Sequence, residues 1–289
     1  MTTTPPAGLV PRNGLSATER QDVRALADLC NAQEGLELKL NLGPGPADGT
    51  SQFLYYAAGE LIGFCSLDGD EEPEVCGMVH PAQRRRGIGR ALLAAAIAET
   101  QRRGGPTLIL ICEAASATGQ AFVATTGAPL SLAEYHMELD APATSEPPAP
   151  ADAAIQLQRA SAADLDDLVR ITVAAFGDAE ASTRRRIAAD LQGAQEEFYL
   201  ARLGGTPIGS LKLVMGDGWA GIYGFGVLPE YQGQGRGRQI LETAIRQLRA
   251  GGRPRITLEV ESTNAPAHRL YAALGFRVTT TYGYYTLTI

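Results

Sequence analysis

The feature that most constrains this 289-residue sequence is that it repeats itself once. A Val-x-Pro triplet and the glycine-containing run that follows it begin at Val79 and again at Val227, an offset of 148 residues (227 − 79). The same offset aligns Gly104 with Gly252, with no insertion or deletion in between. The repeat predicts two copies of one domain, and the length suits two domains of about 100–150 residues each.

The repeat also predicts where the domains lie. The first copy is expected over residues 1–140 and the second over residues 155–289. Between them, residues 141–154 are rich in proline and alanine and lack the apolar residues needed to join a core. This segment is expected to be a semi-extended linker.

Each copy shows the same predicted order of elements: helix, antiparallel strands, strand–loop–helix, strand, helix, strands. Ser16-x-x-Glu19 and Ser161-x-x-Asp164 predict capping boxes where the first helix of each copy begins. Paired β-rich runs at 53–56 with 61–67, and at 197–202 with 207–214, predict hairpins. This order predicts the α/β class, with a mixed sheet and helices on both faces in each copy.

Composition excludes several classes of protein. The net charge of −7 argues against a nucleic-acid partner. The four cysteines form no C-x-x-C pair, which argues against a metal site and a disulfide framework. No apolar stretch approaches the roughly 18 residues that a membrane-spanning helix needs, and no signal peptide is recognised. A cytoplasmic protein without a membrane partner is expected.

The two glycine-rich loops predict binding of a phosphorylated ligand. A strand that leads through glycines into a helix presents unpaired backbone N–H groups at the positive end of the helix dipole, which suits a pyrophosphate. The runs are Gln232-Gly-Gln-Gly235-Arg-Gly237-Arg238 and Arg84-Arg-Arg-Gly87-Ile-Gly89-Arg90. Neither matches the dinucleotide-binding G-x-G-x-x-G pattern or a Walker A loop. The arginines of the first loop would attract phosphates or would form a solvated basic loop.

In this context both loops resemble the Q/R-x-x-G-x-G/A hallmark of the GCN5-related N-acetyltransferase (GNAT) superfamily. The resemblance implies two tandem GNAT domains, each with a mixed, mostly antiparallel sheet, and acetyl-CoA as the cofactor. The loop amides would hold the pyrophosphate, and the preceding strand would contact the pantetheine arm. In the second copy the implied cofactor-binding residues are Phe225, Gly226, Val227, Leu228, Gln232, Gly233, Gln234, Gly235, Arg236, Gly237, Arg238 and Asn264. In the first copy they are Met78, Val79, Arg84, Arg85, Arg86, Gly87, Ile88, Gly89 and Arg90.

The segment from Leu258 to Phe276 resembles ribosomal-protein N-terminal acetyltransferases in particular. In those enzymes a tyrosine protonates the leaving thiolate, and a glutamate twelve residues earlier acts through water as a base. The resemblance assigns Tyr271 as general acid and Glu259 as general base. Two structural roles stay open, a packed helix tyrosine and a glutamate in a salt bridge. Many GNAT proteins instead carry an acid at the end of the preceding strand, where this copy has Tyr223 and Gly224.

The first copy lacks these chemical groups. The offset of 148 places Ile111, Ser116 and Val123 where Glu259, Asn264 and Tyr271 stand in the second copy. We therefore expect a catalytically silent first copy that keeps a cofactor loop. This asymmetric arrangement resembles mycothiol synthase, a tandem GNAT protein whose C-terminal copy performs the acetylation, but the resemblance is not extended to the substrate.

The sequence thus predicts transfer of an acetyl group to a primary amine by direct attack on acetyl-CoA, without a metal. An acyl-CoA-binding sensor without turnover, and a transferase of another acyl group, are the alternatives. The amine acceptor stays open among small molecules and peptides. A monomer or a homodimer is expected.

Overall fold

The computed structural model describes residues 7–43, 45, 49–69, 72–139, 155–193, 196–216 and 218–289. The chain forms two compact units, Met1–Glu134 with Thr280–Ile289, and Tyr135–Thr279. The predicted linker at 141–154 lies outside the described residues.

Among its described residues, the first unit contains three α-helices and a sheet. Its elements before residue 135 are β1 (Gly8–Arg12), α1 (Ala17–Glu34), β2 (Gln52–Ala57), β3 (Glu60–Asp68), β4 (Glu74–Val79), α2 (Ile88–Arg102), β5 (Thr107–Glu113), α3 (Ala117–Ala124) and the start of β6 (Leu130–Leu139). The strand order is β1-β2-β3-β4-β5, followed by the second half of β12 (Phe276–Thr288). Among the described strands of this unit, β4 and β5 pair in parallel, and the other pairings in this order are antiparallel.

The second unit repeats this plan. Its elements after the end of β6 are β7 (Gln156–Arg159), α4 (Leu165–Phe176), α5 (Glu180–Asp190), β8 (Glu196–Leu203), β9 (Thr206–Met215), β10 (Trp219–Val227), α6 (Arg236–Ala250), β11 (Arg255–Glu261), α7 (Ala265–Ala273) and the start of β12. The strand order is β6-β11-β10-β9-β8-β7. Here β10 and β11 are the parallel pair, and β7, β8, β9 and β10 pair antiparallel.

The cores lie on both faces of each sheet. In the second unit, α6 and α7 pack on one face over a cluster that includes Ile240, Leu258 and Tyr271. Helices α4 and α5 pack on the opposite face over a cluster built around Leu168 and Ile187. The predicted α/β class, with mostly antiparallel mixed sheets and helices on both faces, is confirmed.

Local sequence signals account for these elements. Ser16 caps α1 through the predicted capping box with Glu19. Ser161 forms the corresponding box with Asp164, which begins a single 3-10 turn that leads into α4. In α6 the five apolar residues that share one helical face are all buried: Ile240, Leu241, Ala244, Ile245 and Leu248.

The unit boundaries differ from the domain boundaries that the sequence predicts. Residues 280–289 group with the first unit rather than with residues 155–279, and residues 135–139 group with the second. The reason is strand pairing, since Tyr282–Thr288 of β12 pairs antiparallel with Thr107–Glu113 of β5. Repeat similarity identifies equivalent strands but carries no information about which sheet a strand joins.

Candidate active site

The second unit contains a gap between strands β10 and β11. The two strands pair in parallel only over Trp219–Ile222 and Arg255–Leu258, although both continue beyond these residues. A bulge follows Tyr223, and Gly224 adopts a φ of +53° that glycine tolerates best. Backbone groups that leave a ladder need new partners. The β10 edge at Phe225–Val227 is therefore suited to an extended, amide-containing ligand.

The glycine-rich loop closes one end of this gap. Gly233 and Gly235 have φ values of +70° and +75°, and α6 begins directly after Gly235 without a side-chain cap. The first N–H groups of α6 therefore point out of the helix at the positive end of its dipole. Such a terminus suits a pyrophosphate, as the sequence predicts for residues 232–238.

The side chains of this loop form hydrogen bonds with different parts of the second unit. Gln232 donates from Nε2 to the Val227 carbonyl (2.8 Å) and so ties the loop to β10. Arg236 donates to Gln239 Oε1 (3.0 Å). Arg238, which the sequence also assigns to the cofactor, instead donates to the Ala273 carbonyl (2.9 Å) at the end of α7. Its guanidinium therefore joins two helices in this structure.

The first unit has the same gap and loop. Its parallel pairing covers only Glu74 and Val75 of β4 with Ile109 and Leu110 of β5. Gly87 has a φ of +85° and precedes α2 without a side-chain cap. The backbone geometry predicted for a pyrophosphate loop is therefore present in both units. Of the other predicted residues, the side chains of Met78 and Ile88 are buried in the core.

Arg84 is held by neighbours within this unit. Its Nε donates to the Val79 carbonyl (3.2 Å), the bond that Gln232 makes in the second unit. Its Nη1 donates to Glu34 and to Thr118 Oγ1 (3.1 Å). Because the Glu34 carboxylate neutralises Arg84, any attraction of this loop for phosphates depends on Arg85, Arg86 and Arg90, which are exposed.

Tyr271 lies on α7 with 7% of its surface exposed. Its ring meets Phe276 edge to face, with centroids 6.2 Å apart. Burial raises the pKa of Tyr271 to about 12, so the phenol stays protonated at neutral pH. Among the described residues its hydroxyl forms no hydrogen bond. A protonated, uncommitted hydroxyl is what a general acid requires.

Asn264 acts as the N-cap of α7, where its Oδ1 accepts a hydrogen bond from Ala267 N (3.2 Å). Ser116 occupies the same position in the first unit and accepts from Gly119 N (3.1 Å). Helix capping is therefore common to both units, whereas the tyrosine position is not: Val123 is a buried core residue.

Glu259 points to the opposite face of the sheet. Ile256, Leu258 and Val260 of β11 face the cluster that contains Tyr271, so alternation turns Glu259 toward the side of α4 and α5. Its Oε1 lies 3.6 Å from Nδ1 of His136 on β6, and both side chains are nearly buried. The structure thus brings His136 next to Glu259, a contact that was not predicted from the sequence.

A pocket lies between this sheet face and helices α4 and α5. Its lining residues are Thr172, Phe176, Asp178, Arg186, Ile187, Phe198, Ser210, Lys212 and Gly224. Lys212 pairs with Glu196 (2.9 Å) and lies 3.9 Å from Asp190. Burial, reinforced by the nearby Glu196 charge, raises the pKa of Asp190.

The pocket residues of β9 were not predicted from the sequence. Ser210 and Lys212 alternate with the buried Leu211 and Leu213, so these polar residues inside an apolar run signalled a polar face.

Cross-strand register connects this pocket to Glu259. Lys212 of β9 is paired with Tyr223 of β10. The β10–β11 register ends at Ile222 with Leu258, so Tyr223 and Glu259 are the next residues on each strand. Directly paired residues share a face. Glu259 therefore lies on the pocket face, two strands from Lys212.

The comparisons with known proteins agree with this fold and these loops. Residues 165–276 match the Acetyltransferase (GNAT) family, and residues 49–124 match an Acetyltransferase (GNAT) domain. The chain belongs to the GNAT family of acetyltransferases and carries two GNAT domains in tandem. It is an N-acetyltransferase that uses acetyl-CoA.

Relatives match along most of the chain. A mycothiol acetyltransferase of Clavibacter michiganensis is 32% identical over 73% of this chain and 70% of its own length. That of Mycolicibacterium smegmatis is 28% identical over 92% of this chain and 95% of its own. The solved structure of a tandem GNAT protein from the clavulanic acid biosynthesis pathway has a TM-score of 0.70 at 23% identity, over 97% of this chain and 98% of that one. The likeness to ribosomal-protein acetyltransferases stays a prediction.

Within the described ranges, no helix combines the length and the apolar character that crossing a membrane requires. In the same part of the chain, no group of three or more His, Cys, Asp and Glu side chains could hold a metal ion.

Proposed function

We propose that this enzyme acetylates a primary amine of a small molecule by direct attack on acetyl-CoA, and that the chemistry takes place in the second unit. The observation that carries the proposal is the position of Tyr271 and Glu259. A protonated hydroxyl and a carboxylate lie on opposite faces of one sheet, next to the gap where β10 and β11 part. This arrangement supports placing the thioester in the gap, between an acid and a base.

The proposed cofactor contacts follow from the backbone. Amides after Gly235 bind the pyrophosphate, and the free β10 edge at Phe225–Val227 binds the pantetheine amides. This places the thioester near the end of the β10–β11 pairing. The amine enters from the pocket face of the sheet. On this face Lys212 of β9 is paired with Tyr223 of β10, and Glu259 lies on the next strand, β11.

The reaction then needs two proton transfers. Glu259, through a water molecule, takes a proton from the acceptor ammonium, and the neutral nitrogen attacks the thioester carbonyl to form the C–N bond. As the C–S bond breaks, Tyr271 gives its proton to the leaving CoA thiolate and regains one from solvent, while the nitrogen loses its second proton through Glu259. The net products are the amide, CoA thiol and one released proton.

The first unit is proposed to be catalytically silent. It keeps the gap and the glycine loop, but Ile111 and the buried Val123 occupy the positions of the base and the acid. Neither aliphatic side chain can exchange a proton. Absence of a nucleic-acid partner, a cytoplasmic location, and a monomer or homodimer stay predictions.

The test is calorimetric titration with acetyl-CoA, followed by a thiol-release assay against spermidine, kanamycin, glucosamine, alaninamide and the acceptor of the mycothiol acetyltransferases. Thiol release with one of these amines, abolished by Tyr271→Phe, would support the proposal and identify the acceptor class. Binding without release on every amine would favour an acyl-CoA sensor. No binding of acetyl-CoA would overturn the assignment of the gap.

A further inference from the structure

The contact between His136 and Glu259 joins β6 and β11 on the pocket face of the second unit. His136 Nδ1 and Glu259 Oε1 are 3.6 Å apart, and the side chains are 12% and 13% exposed. This separation lies within the range of an ion pair and slightly beyond that of a hydrogen bond. Hydrogen bonds at catalytic sites are often long without substrate and shorten when the site fills.

A second pair joins the same two strands on the same face but differs in burial. Arg255 donates to Glu138 Oε2 at 2.8 Å, and these side chains are 45% and 33% exposed. Solvent screens such an exposed pair, so its energetic value is small. The His136–Glu259 pair is shielded from water, where a directed contact has a larger effect on a carboxylate. Simple strand cross-linking is already supplied by the exposed pair.

The internal repeat provides a comparison within the same chain. The offset of 148 places His136 in register with Tyr284, and Glu259 in register with Ile111. In the first unit, Tyr284 of β12 is paired directly with Ile111 of β5. The fold therefore sets the same two positions beside each other in both units. Where the carboxylate is absent the histidine is absent too, and the hydroxyl of Tyr284 instead bonds Glu134.

From this geometry we infer that His136 is a positioning residue for the base Glu259. The inference rests on the proposed function. The imidazole Nδ1 holds one carboxylate oxygen, Oε1, and so fixes the orientation of the carboxyl group on the pocket face. An oriented carboxylate needs less reorganisation before it accepts a proton. His136 lies before residues 155–289, the predicted bounds of the second copy.

The contact can be tested without a substrate. The sequence contains three histidines, His80, His136 and His268, so their imidazole ¹⁵N signals can be assigned with single substitutions. We expect Glu259→Gln to move the Nδ1 signal of His136 and to leave the other two unchanged. A His136 signal that does not respond would show that the pair does not form in solution, and would overturn the inference.

The role is tested by kinetics on the amine with the fastest thiol release in the panel above. His136→Phe keeps a ring but removes the donor, and should lower kcat about 10- to 100-fold, part of the 10²–10⁴-fold that a positioned base contributes. KM for acetyl-CoA should stay unchanged. His136→Asn keeps an N–H near the Nδ1 position. On a logarithmic scale, its kcat should recover at least half of the difference between His136→Phe and the wild type. Arg255→Gln, at the exposed pair, is the matched control and should keep the wild-type kcat.

The outcomes separate the inference from the proposal beneath it. A slow Glu259→Gln variant beside a fast His136→Phe variant would overturn the positioning role alone. A wild-type rate for Glu259→Gln would overturn both the base assignment and the inference. If His136→Phe and His136→Asn lose the same factor in kcat, His136 has a structural role and the positioning role is overturned. If His136→Phe does not fold, the positioning role is tested by the kcat of His136→Asn and by the change of the His136 Nδ1 signal on Glu259→Gln.

Discussion

Replacing Tyr271 with phenylalanine removes one oxygen atom and leaves the ring in place. The edge-to-face contact with Phe276, at 6.2 Å between centroids, should survive because phenylalanine has the same ring shape. The hydroxyl forms no hydrogen bond with the described residues, so none of these is left without a partner. We expect a loss of less than about 1 kcal/mol in the free energy of unfolding at neutral pH.

The rate should respond far more strongly. Without Tyr271 the CoA thiolate must leave unprotonated, and a positioned acid contributes about 10²–10⁴-fold. This range corresponds to about 2.7–5.5 kcal/mol in the activation free energy. The affinity for acetyl-CoA should stay nearly the same because its phosphates are bound by the α6 loop. Thiol release gives the rate, and calorimetry gives the affinity.

The buried phenol also predicts a pH dependence of stability. The pKa of Tyr271 is about 12 in the folded protein, raised by burial from an ordinary value near 10. Between these values the unfolded chain loses the proton while the folded chain keeps it, so stability falls as pH rises from 10 to 12. The wild type should lose up to about 2.7 kcal/mol through this group, and about 1.4 kcal/mol by pH 11. Tyr271→Phe should not lose this part, which urea unfolding at pH 8 and pH 11 measures.

Tyr199→Phe is a suitable control, because the Tyr199 hydroxyl is bonded to Glu197 on β8 (2.9 Å), away from the gap. It should keep the wild-type rate. A Tyr271→Phe enzyme that turns over at the wild-type rate would remove Tyr271 from the mechanism. A stability difference between Tyr271→Phe and the wild type that is the same at both pH values would refute the burial argument.

Three further predictions concern the first unit. Gly87→Glu places a strained, negatively charged residue at a φ of +85° in the loop. It should weaken acetyl-CoA binding to the first unit at least tenfold without stopping turnover. Loss of all activity in the thiol-release assay would show that the units are not independent. Removing residues 280–289 strips β5 of the strand segment that pairs with 107–113, so hydrogen exchange should show the amides of β5 losing protection, and unchanged protection would contradict the assignment. Hydrogen bonding from Arg102 lowers the pKa of the nearly buried Glu99 to about 2 from an ordinary 4.5, so its stabilisation, of up to about 3 kcal/mol, is present above pH 4.5 and is lost as pH falls toward 2. Urea unfolding of Glu99→Gln should show a weaker pH dependence in that window, and an equal dependence would count against the contact.

Much of the fold could be predicted because its signals are local. The capping box at Ser16 and the apolar face of α6 each depend on residues a few positions apart. The repeat offset transferred each assignment from one copy to the other. The Val79 and Val227 carbonyls show the result, since residues 84 and 232 bond them in the same way.

The candidate site was harder to predict because its partners are distant in sequence. Arg84 could be counted as a basic loop residue, but its neutralisation by Glu34 depends on a contact across 50 residues. Asn264 was predicted only as a cofactor ligand, and in the structure it caps α7. His136 and Glu259 are 123 positions apart in the sequence, so only strand pairing brings them together.

The pairing of the end of β12 with β5 of the first unit has a consequence for synthesis of the chain. A ribosome makes residues 1–134 long before residues 280–289. Domains made in order normally fold in order, yet β5 of the first unit lacks one strand partner, and is an open sheet edge, until residues 280–289 have been made. Unpaired edges are sites of wrong association. The time between these two events is therefore when the nascent chain is most exposed to aggregation, and a chaperone that covers β5 would act in that interval.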